Sequence, residues 1–380
     1  MTMRSLPDLR LDDALTAIVR ELRSVLFSHG YTDAAVHTCL GAAAGAENTE
    51  RLEDLWAAGR DQEVRRDRFA SATDALVHLW LVEGALPLSS CVRLLGAKPA
   101  TALLDAGLLS CDGDWVSART LLVPWRGLWL LTDRYTHRNT RDAVFVPDAS
   151  SYALAALLPS PIDRRRMGDS RHAVAVDVGT GCGILALAEA PLFDRVIALD
   201  VNPRAVAFAR FNAAVNDRAV IVERCDRDPL HGTAPWSGVD LLTFVMPFVY
   251  GHVDDEESVA LVSDEGAELL ERTYRAVDRA LAATGTALLW HQVRRQPPLS
   301  FERALGRWGV LTRNHILLAV AEMSDELDLG VAVVRRTTGR PAPAILRLER
   351  TERLRPAWAD LERLFCGSTE EERLVKCVRG

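Results

Sequence analysis

Ala175-Val176-Asp177-Val178-Gly179-Thr180-Gly181-Cys182-Gly183-Ile184, followed by Arg195-Val196-Ile197-Ala198-Leu199-Asp200, is the stretch that decides the fold. An apolar strand runs into three glycines at alternate positions. A helix of small residues follows from Ile184 to Ala190, and a second strand ends in a carboxylate 21 residues after Gly179. That order of strand, turn, helix, strand and acid is the skeleton of a nucleoside-binding βαβ unit. Gly179 and Gly181 permit positive φ and let the backbone approach a ligand, while Asp200 at a strand tip can accept from both hydroxyls of a ribose.

The glycine spacing narrows the nucleoside. A dinucleotide site wants G-x-G-x-x-G so that a pyrophosphate meets the helix N-terminus. Here Asp177 stands two residues before the first glycine, in Asp-x-Gly-x-Gly-x-Gly. A carboxylate there repels a pyrophosphate and suits a cation. The pattern resembles the first motif of class I S-adenosylmethionine (SAM) dependent methyltransferases, whose cofactor carries a sulfonium and an α-amino group. The chain has neither the P-loop pattern G-x-x-x-x-G-K-[ST] nor a usable zinc spacing, so no metal is expected.

The resemblance runs through about residues 140 to 338. It implies an α/β, Rossmann-like, seven-stranded sheet, mostly parallel with a terminal antiparallel hairpin. It also implies SAM as cofactor, held by Asp177, Gly179, Thr180, Gly181, Gly183, Asp200, Asn202 and Asp226. Asn202 falls just after the ribose acid, where the family lines its adenine pocket, and Asp226 follows the third strand. Pro203 stands at the first position of the next helix. The fourth strand, Val239 to Val245, runs into Met246-Pro247-Phe248-Val249-Tyr250, where the family's catalytic loop lies. Met246, Pro247, Phe248 and Tyr250 are the candidate catalytic residues.

The flanking pattern is similar to the glutamine N5 and nucleic-acid amino methyltransferases related to the release-factor enzymes. Their loop reads Asn-Pro-Pro-Tyr or Asn-Pro-Pro-Phe, with the Asn accepting from the target nitrogen. This chain has Met246 in that place, and a thioether is a weak acceptor. Three functions are expected from this. Methyl transfer from SAM to a small molecule in secondary metabolism comes first. Cyclisation of SAM itself, with release of methylthioadenosine, and a non-catalytic SAM-binding regulator are the alternatives.

Composition bounds the remainder. The chain has 380 residues, is 48% hydrophobic and carries a formal net charge of −7, enough for a large core and more than one domain. It shows no apolar run long enough to span a membrane and no basic-then-apolar leader, so a cytoplasmic protein with no membrane partner is expected. Its seven cysteines are scattered and odd in number, which reads as reduced thiols. Cys182 is read as a small filler in the glycine turn.

Residues 1–140 form an expected N-terminal domain, 141–340 the methyltransferase-fold domain and 341–380 a C-terminal helical extension. Helical periodicity runs through Leu11 to Phe27, Asp33 to Ala44, Glu47 to Arg65 and Asp67 to Val82. Two short helices follow, Leu88 to Gly96 and Pro99 to Leu109, and then a hairpin of Trp115 to Val123 with Leu128 to Thr132. That succession is a winged-helix pattern. Residues 1–150 hold 16 basic against 20 acidic side chains, so no nucleic-acid partner is expected. A lid, a substrate-shaping surface or a homodimer contact is the expected role.

Further residues have two readings each. The resemblance implies that Pro147, Asp148, Ser150 and Ser151 close the cofactor pocket, and the alternative is a helix N-cap at Asp148 or Ser150. His291, with Gln292 as orienter, is either a general base at the carboxyl edge of the sheet or a structural histidine. Tyr135 and His137 on the linker are read as packed or solvated. Asp254 to Glu257 is read as a solvated acidic run.

Overall fold

The computed structural model of the chain describes residues 6–9, 13–40, 65–137, 140, 142–159, 172–225, 236–247, 249–250, 262–263, 267–294, 314–322, 327–336 and 343–348. Helices α1 (Asp13–Ser28), α2 (Asp33–Leu40) and α3 (Ala72–Trp80) open the fold. Helices α2 and α3 fall within the periodic stretches of the sequence, and α1 ends one residue beyond its stretch, at Ser28. The Ser71 hydroxyl caps α3 by accepting the Asp74 amide at 3.0 Å. The expected helix over Glu47 to Arg65 lies outside the described residues except for its last residue.

Next come β1 (Ala85–Pro87), α4 (Leu88–Leu95), α5 (Ala97–Asp105), β2 (Leu109–Asp112) and β3 (Trp115–Ala118). The three strands make an antiparallel sheet in the order β1-β3-β2. A separate hairpin pairs β4 (Thr120–Trp125) with β5 (Leu128–Asp133). The single expected hairpin is thus two. The reason is Asp112-Gly113-Asp114, a turn in its own right with Gly113 at φ +59, which reverses the chain before Trp115.

The main sheet has the order β15-β13-β14-β12-β9-β6-β7-β8. Its strands are β6 (Val174–Val178), β7 (Arg195–Asp200), β8 (Ile221–Arg224), β9 (Val239–Val245), β12 (Leu281–Arg294), β13 (Asn314–Glu322), β14 (Leu327–Arg336) and β15 (Pro343–Leu348). A two-stranded parallel pair, β10 (Val249–Tyr250) with β11 (Val262–Ser263), stands apart. Strands β8, β7, β6, β9 and β12 are parallel, and β14 returns antiparallel to β12. This is the Rossmann-like α/β sheet with a terminal hairpin that the sequence implies. The strand count is corrected from seven to eight. The outer edge of β13 is paired in parallel by β15, within the stretch expected to be a helical extension.

Helices α6 (Ala149–Ala156), α7 (Ile184–Glu189) and α8 (Pro203–Val215) share one face of the sheet with the N-terminal elements, in a core that runs from Leu22 and Trp80 through Leu131 to Leu185 and Phe208. Helix α9 (Ala267–Ala280) covers the opposite face through Leu270, Tyr274 and Val277. It stops short of the expected Ala283, and β12 begins at once. Gly285 marks the shift in register there, because a Cβ would stand 2.4 Å from the Val239 carbonyl. Expected helices at Phe301 to Gly309 and Ala357 to Phe365 lie outside the described residues. Among the described residues no helix is long and apolar enough to cross a membrane.

Polar contacts tie the N-terminal hairpin to the main sheet. Asn212 on α8 and Asn216, which caps its C-terminus one turn on, each accept an amide and donate to the carbonyl of a β5 residue, Leu131 and Trp129 respectively. At the end of β5, Asp133 takes the Arg204 guanidinium with both oxygens and also accepts the Val144 amide at 2.9 Å. Asp133 is 2% exposed in its side chain and Arg204 15%. Removing one partner of a buried ion pair leaves an uncompensated charge, a loss of roughly 3 to 5 kcal/mol. Asp133→Ala is therefore expected to lower the unfolding free energy in urea by about that amount, and a loss under about 1 kcal/mol would show that the pair does not hold the hairpin.

Candidate functional site

The chain order places a crevice at one point of the sheet. From β6 the strands step outward through β7 to β8, then return to the other side of β6 with β9 and β12. Ligands in open α/β sheets bind outside the carboxyl ends at such a switch point. The glycine turn, Asp200 and the segment after β9 all sit there.

Glycine is required in the turn for two physical reasons. Gly179, Gly181 and Gly183 have φ of +62, +55 and +86, a region that L side chains rarely adopt. A Cβ on Gly179 would meet the Phe244 ring at 3.1 Å, and one on Gly183 would meet Ala209 of α8 at 3.3 Å. At Gly181 a Cβ would meet nothing within 4 Å, so there the backbone faces open space. Thr180 is held from both sides, its amide donating to the Leu199 carbonyl at 3.0 Å and its hydroxyl to Asp177 at 2.6 Å.

Asp200 closes β7 with both oxygens engaged by backbone. Oδ2 accepts the Gly181 amide and Oδ1 the Asn202 amide, each at 2.9 Å. Burial raises its pKa above the ordinary carboxylate range, and these amides oppose the rise. Each carboxylate oxygen keeps a second lone pair, the capacity a ribose diol needs.

Asp177 points into the sheet. It is 1% exposed and accepts the hydroxyls of Thr180 and Thr243, the latter at 2.9 Å. It thus braces the turn from beneath. Burial pushes its carboxyl up to about 6, against the hydroxyl bonds that favour the ion. Asn202 is engaged as well: its Oδ1 caps α8 through the Arg204 amide at 2.9 Å, and its Nδ2 donates to the Asp142 carbonyl at 2.8 Å. Helix capping is what its side chain does here.

Met246 directs its amide to the Trp290 carbonyl at 2.9 Å and buries its side chain in the core under α9. Its thioether belongs to packing. Pro247 is half-buried beside it, and Tyr250 lies in β10. Phe248, Asp226 and the acidic run Asp254 to Glu257 lie outside the described residues. Asp148 caps α6 through the amides of Ser150 and Ser151, the capping reading of that segment. His291 is buried with its Nε2 3.1 Å from the Tyr274 hydroxyl, on the α9 side of the sheet, which fits the structural reading. His137 is buried and Tyr135 packs against the core. Burial raises the Cys182 thiol to about 12, as befits an inert filler. Among the described residues no group of side chains could hold a metal ion.

Sequence reasoning missed Thr243, Glu189 and Asn212. Glu189 alone carried a signal, an acid in the otherwise apolar helix Ile184 to Ala190. Asn212 donates to the Cys182 carbonyl at 2.8 Å and so links the turn to β5.

Residues 162–231 match the family model of ribosomal protein L11 methyltransferase (PrmA). The chain is similar to ribosomal protein L11 methyltransferases of Pelobacter propionicus, 52% identical over 56 residues, and Carboxydothermus hydrogenoformans, 48% identical over 63. These stretches are 14% and 16% of this chain and 18% and 20% of those proteins, so the chain spans about a fifth of the length of the curated relatives it matches. Among solved structures it is similar to a putative class I SAM-dependent methyltransferase from Listeria monocytogenes, with 13% identity, 92% of this chain and 97% of that one covered, and a TM-score of 0.39. It is also similar to a ribosomal protein L11 methylase from Lactobacillus delbrueckii subsp. bulgaricus, with 18% identity, coverage of 50% and 81%, and a TM-score of 0.33.

The sheet, the glycine turn and the family match together define a class I SAM-dependent methyltransferase fold, and SAM is its cofactor. The turn and Asp200 fit that cofactor, since they offer open backbone at Gly181 and acceptor capacity beside it. The expected small-molecule acceptor and secondary-metabolic role are corrected: the matching relatives are named for a ribosomal protein, and SAM cyclisation or a regulatory role fits that finding no better.

The titration of Asp177 gives a direct check. The folded protein holds this proton more tightly than the unfolded chain, so the stability Asp177 confers is full below its unfolded pKa of 3.8 and is lost as pH rises through about 6. Asparagine has no such proton. From about pH 7 to pH 4.5, the unfolding free energy of wild type is expected to gain on that of Asp177→Asn by about 1 to 3 kcal/mol in urea titrations. A gap that does not move with pH would mean that folding leaves the Asp177 carboxyl at its ordinary pKa.

Proposed function

We propose that the chain is a SAM-dependent methyltransferase whose acceptor is a protein, with ribosomal protein L11 the first acceptor to try. The observation that carries the cofactor half is Asp200, a nearly buried carboxylate at a strand end that fixes the Gly181 amide. The names of the matching relatives support the acceptor half.

SAM, when bound, supplies an electrophilic methyl group on a sulfonium. The chain's own part is alignment and exclusion of water. Asp200 orients the ribose, Gly179, Thr180, Gly181 and Gly183 bring backbone against the ligand, and Asp177 sets the turn from below. Asp226 is proposed at the adenine. With the Met246 thioether in the core, acceptor orientation falls to the backbone around Pro247 and to the rings of Phe248 and Tyr250. A ring face attracts a sulfonium by about 0.5 to 2 kcal/mol.

The order α3-β1-α4-α5-β2-β3 supports reading residues 1–140 as a winged-helix-like module, packed against the catalytic residues 141–340, with 341–380 as a C-terminal extension. Its acid excess suits a basic protein partner.

Two measurements test the reading. Asp200→Ala removes charge-assisted hydrogen bonds worth roughly 1.5 to 3 kcal/mol each, so calorimetry is expected to show SAM affinity reduced at least about tenfold. Unchanged affinity would remove Asp200 from the site. Incubation of the protein with methyl-labelled SAM and purified L11, or a total ribosomal protein fraction, is expected to label protein. Turnover with no label in protein would refute the acceptor class.

A further inference from the structure

One hydroxyl lies between two buried carboxyls beneath the glycine turn. Thr243 Oγ1 is 2.9 Å from Asp177 Oδ1 and 2.8 Å from Glu189 Oε1. A hydroxyl has one proton, so it donates to one carboxyl and must accept from the other. Two ionised carboxylates cannot both be satisfied there, and one of the two must be an acid.

The surroundings decide which. Asp177 has a donor on each oxygen, because Thr180 serves Oδ2 at 2.6 Å. Glu189 is fully buried at the end of α7, and its Oε2 has no hydrogen-bond partner among the described residues. An ionised carboxylate with one bare oxygen in an apolar interior is far costlier than a neutral acid. We propose that Glu189 is a neutral carboxylic acid in the folded protein, its proton on Oε1 donated to Thr243 Oγ1, and that it is a positioning residue for the cofactor turn.

The hydrogen bonds then run Glu189 to Thr243 to Asp177, with Thr180 donating from the other side. One negative charge remains, on Asp177, directly under Thr180. The charged groups that bear on this set are acids: Asp177 from β6 acts on Glu189, Asp200 from β7 on Asp177, and Asp177 and the α6 cap Asp148 on Cys182. Burial and the Asp177 charge both push the Glu189 carboxyl well above its ordinary range. The consequence for a cationic cofactor rests on the SAM reading; the site of the proton does not.

The test uses the full chain labelled with 13C at the glutamate carboxyls, without ligand. One carboxyl resonance is expected to keep the position of the protonated acid through the range near about 4.3 in which ordinary glutamates titrate, and to be missing from Glu189→Gln. A spectrum in which every glutamate titrates in that range would overturn the proposal. A carboxylic C=O infrared band of the wild type at neutral pH that disappears in Glu189→Gln reads the same proton, and its absence from wild type would also overturn the proposal.

A SAM titration against pH adds the readout for positioning. If Glu189 is neutral, Glu189→Gln changes no charge, so the fall in SAM affinity on the acid side of about pH 6 stays in place, with affinities within about threefold of wild type. A shift of that fall by about one pH unit or more to lower pH would show that Glu189 had carried charge. Thr243→Val, which cuts the run, is expected to weaken SAM about tenfold at neutral pH, and unchanged affinity would refute the positioning role. Failure of wild type itself to bind SAM would sink the cofactor reading and leave the carboxyl spectrum to decide the proton.

Discussion

The side chain of Asn212 is where three parts of the molecule meet. Its Oδ1 accepts the Leu131 amide of β5, and its Nδ2 donates both to the Leu131 carbonyl and to the Cys182 carbonyl of the glycine turn. An amide is the one neutral side chain that can offer acceptor and donors at once to an exposed strand edge, in the manner of another strand. Asn216 repeats the device one helical turn on, at Trp129. The edge of the N-terminal hairpin is thereby paired by a helix instead of by a strand. Buried polar groups left unpaired cost about 1 to 3 kcal/mol each, so the hairpin, α8 and the cofactor turn are held in one arrangement.

The same economy runs through the site. Asp200 holds the turn to the β7 end, and Asn202, which it also holds, caps α8 and anchors Asp142. Arg204, two residues on, reaches back to Asp133 and to the Pro7 carbonyl. One short segment after β7 therefore fixes the Asp200 carboxylate against the glycine turn and the seat of the N-terminal elements together. Motion of the hairpin cannot be independent of the turn without breaking buried hydrogen bonds.

The glycine turn was legible in the sequence because glycines at positive φ leave a local signature, and the hairpin after β12 because alternation does. The N-terminal hairpins were half legible: Pro124-Trp125-Arg126-Gly127 drew attention from the Asp-Gly turn at Gly113 that divides them. The eighth strand was not legible, since a parallel edge pairing with β13 depends on a strand 27 residues earlier and on no local turn. Asn212 was not legible for the same reason, its partner in β5 lying 81 residues away. Asn202 carried two signals at once. Its position after the ribose acid matches an adenine contact, while its neighbour Pro203 at the start of a helix already marked it as a cap.

Three acids in so small a volume, Asp177, Glu189 and Asp200, are a cost in the ligand-free protein, and burial is the largest cause of the raised pKa at each. Packed hydrophobes of the same size would stabilise the fold better. A binding site has a different requirement. A cation arriving at the turn lowers the free energy of every ionised carboxyl beneath it, so ligand affinity and fold stability are linked through the same charges. The protein keeps two of the three acids where hydroxyls and amides hold them ready to ionise, and buries the third beyond them with one oxygen unpartnered among the described residues. On this account the acids under the turn do not make the fold stable; they make its stability conditional on what binds above them.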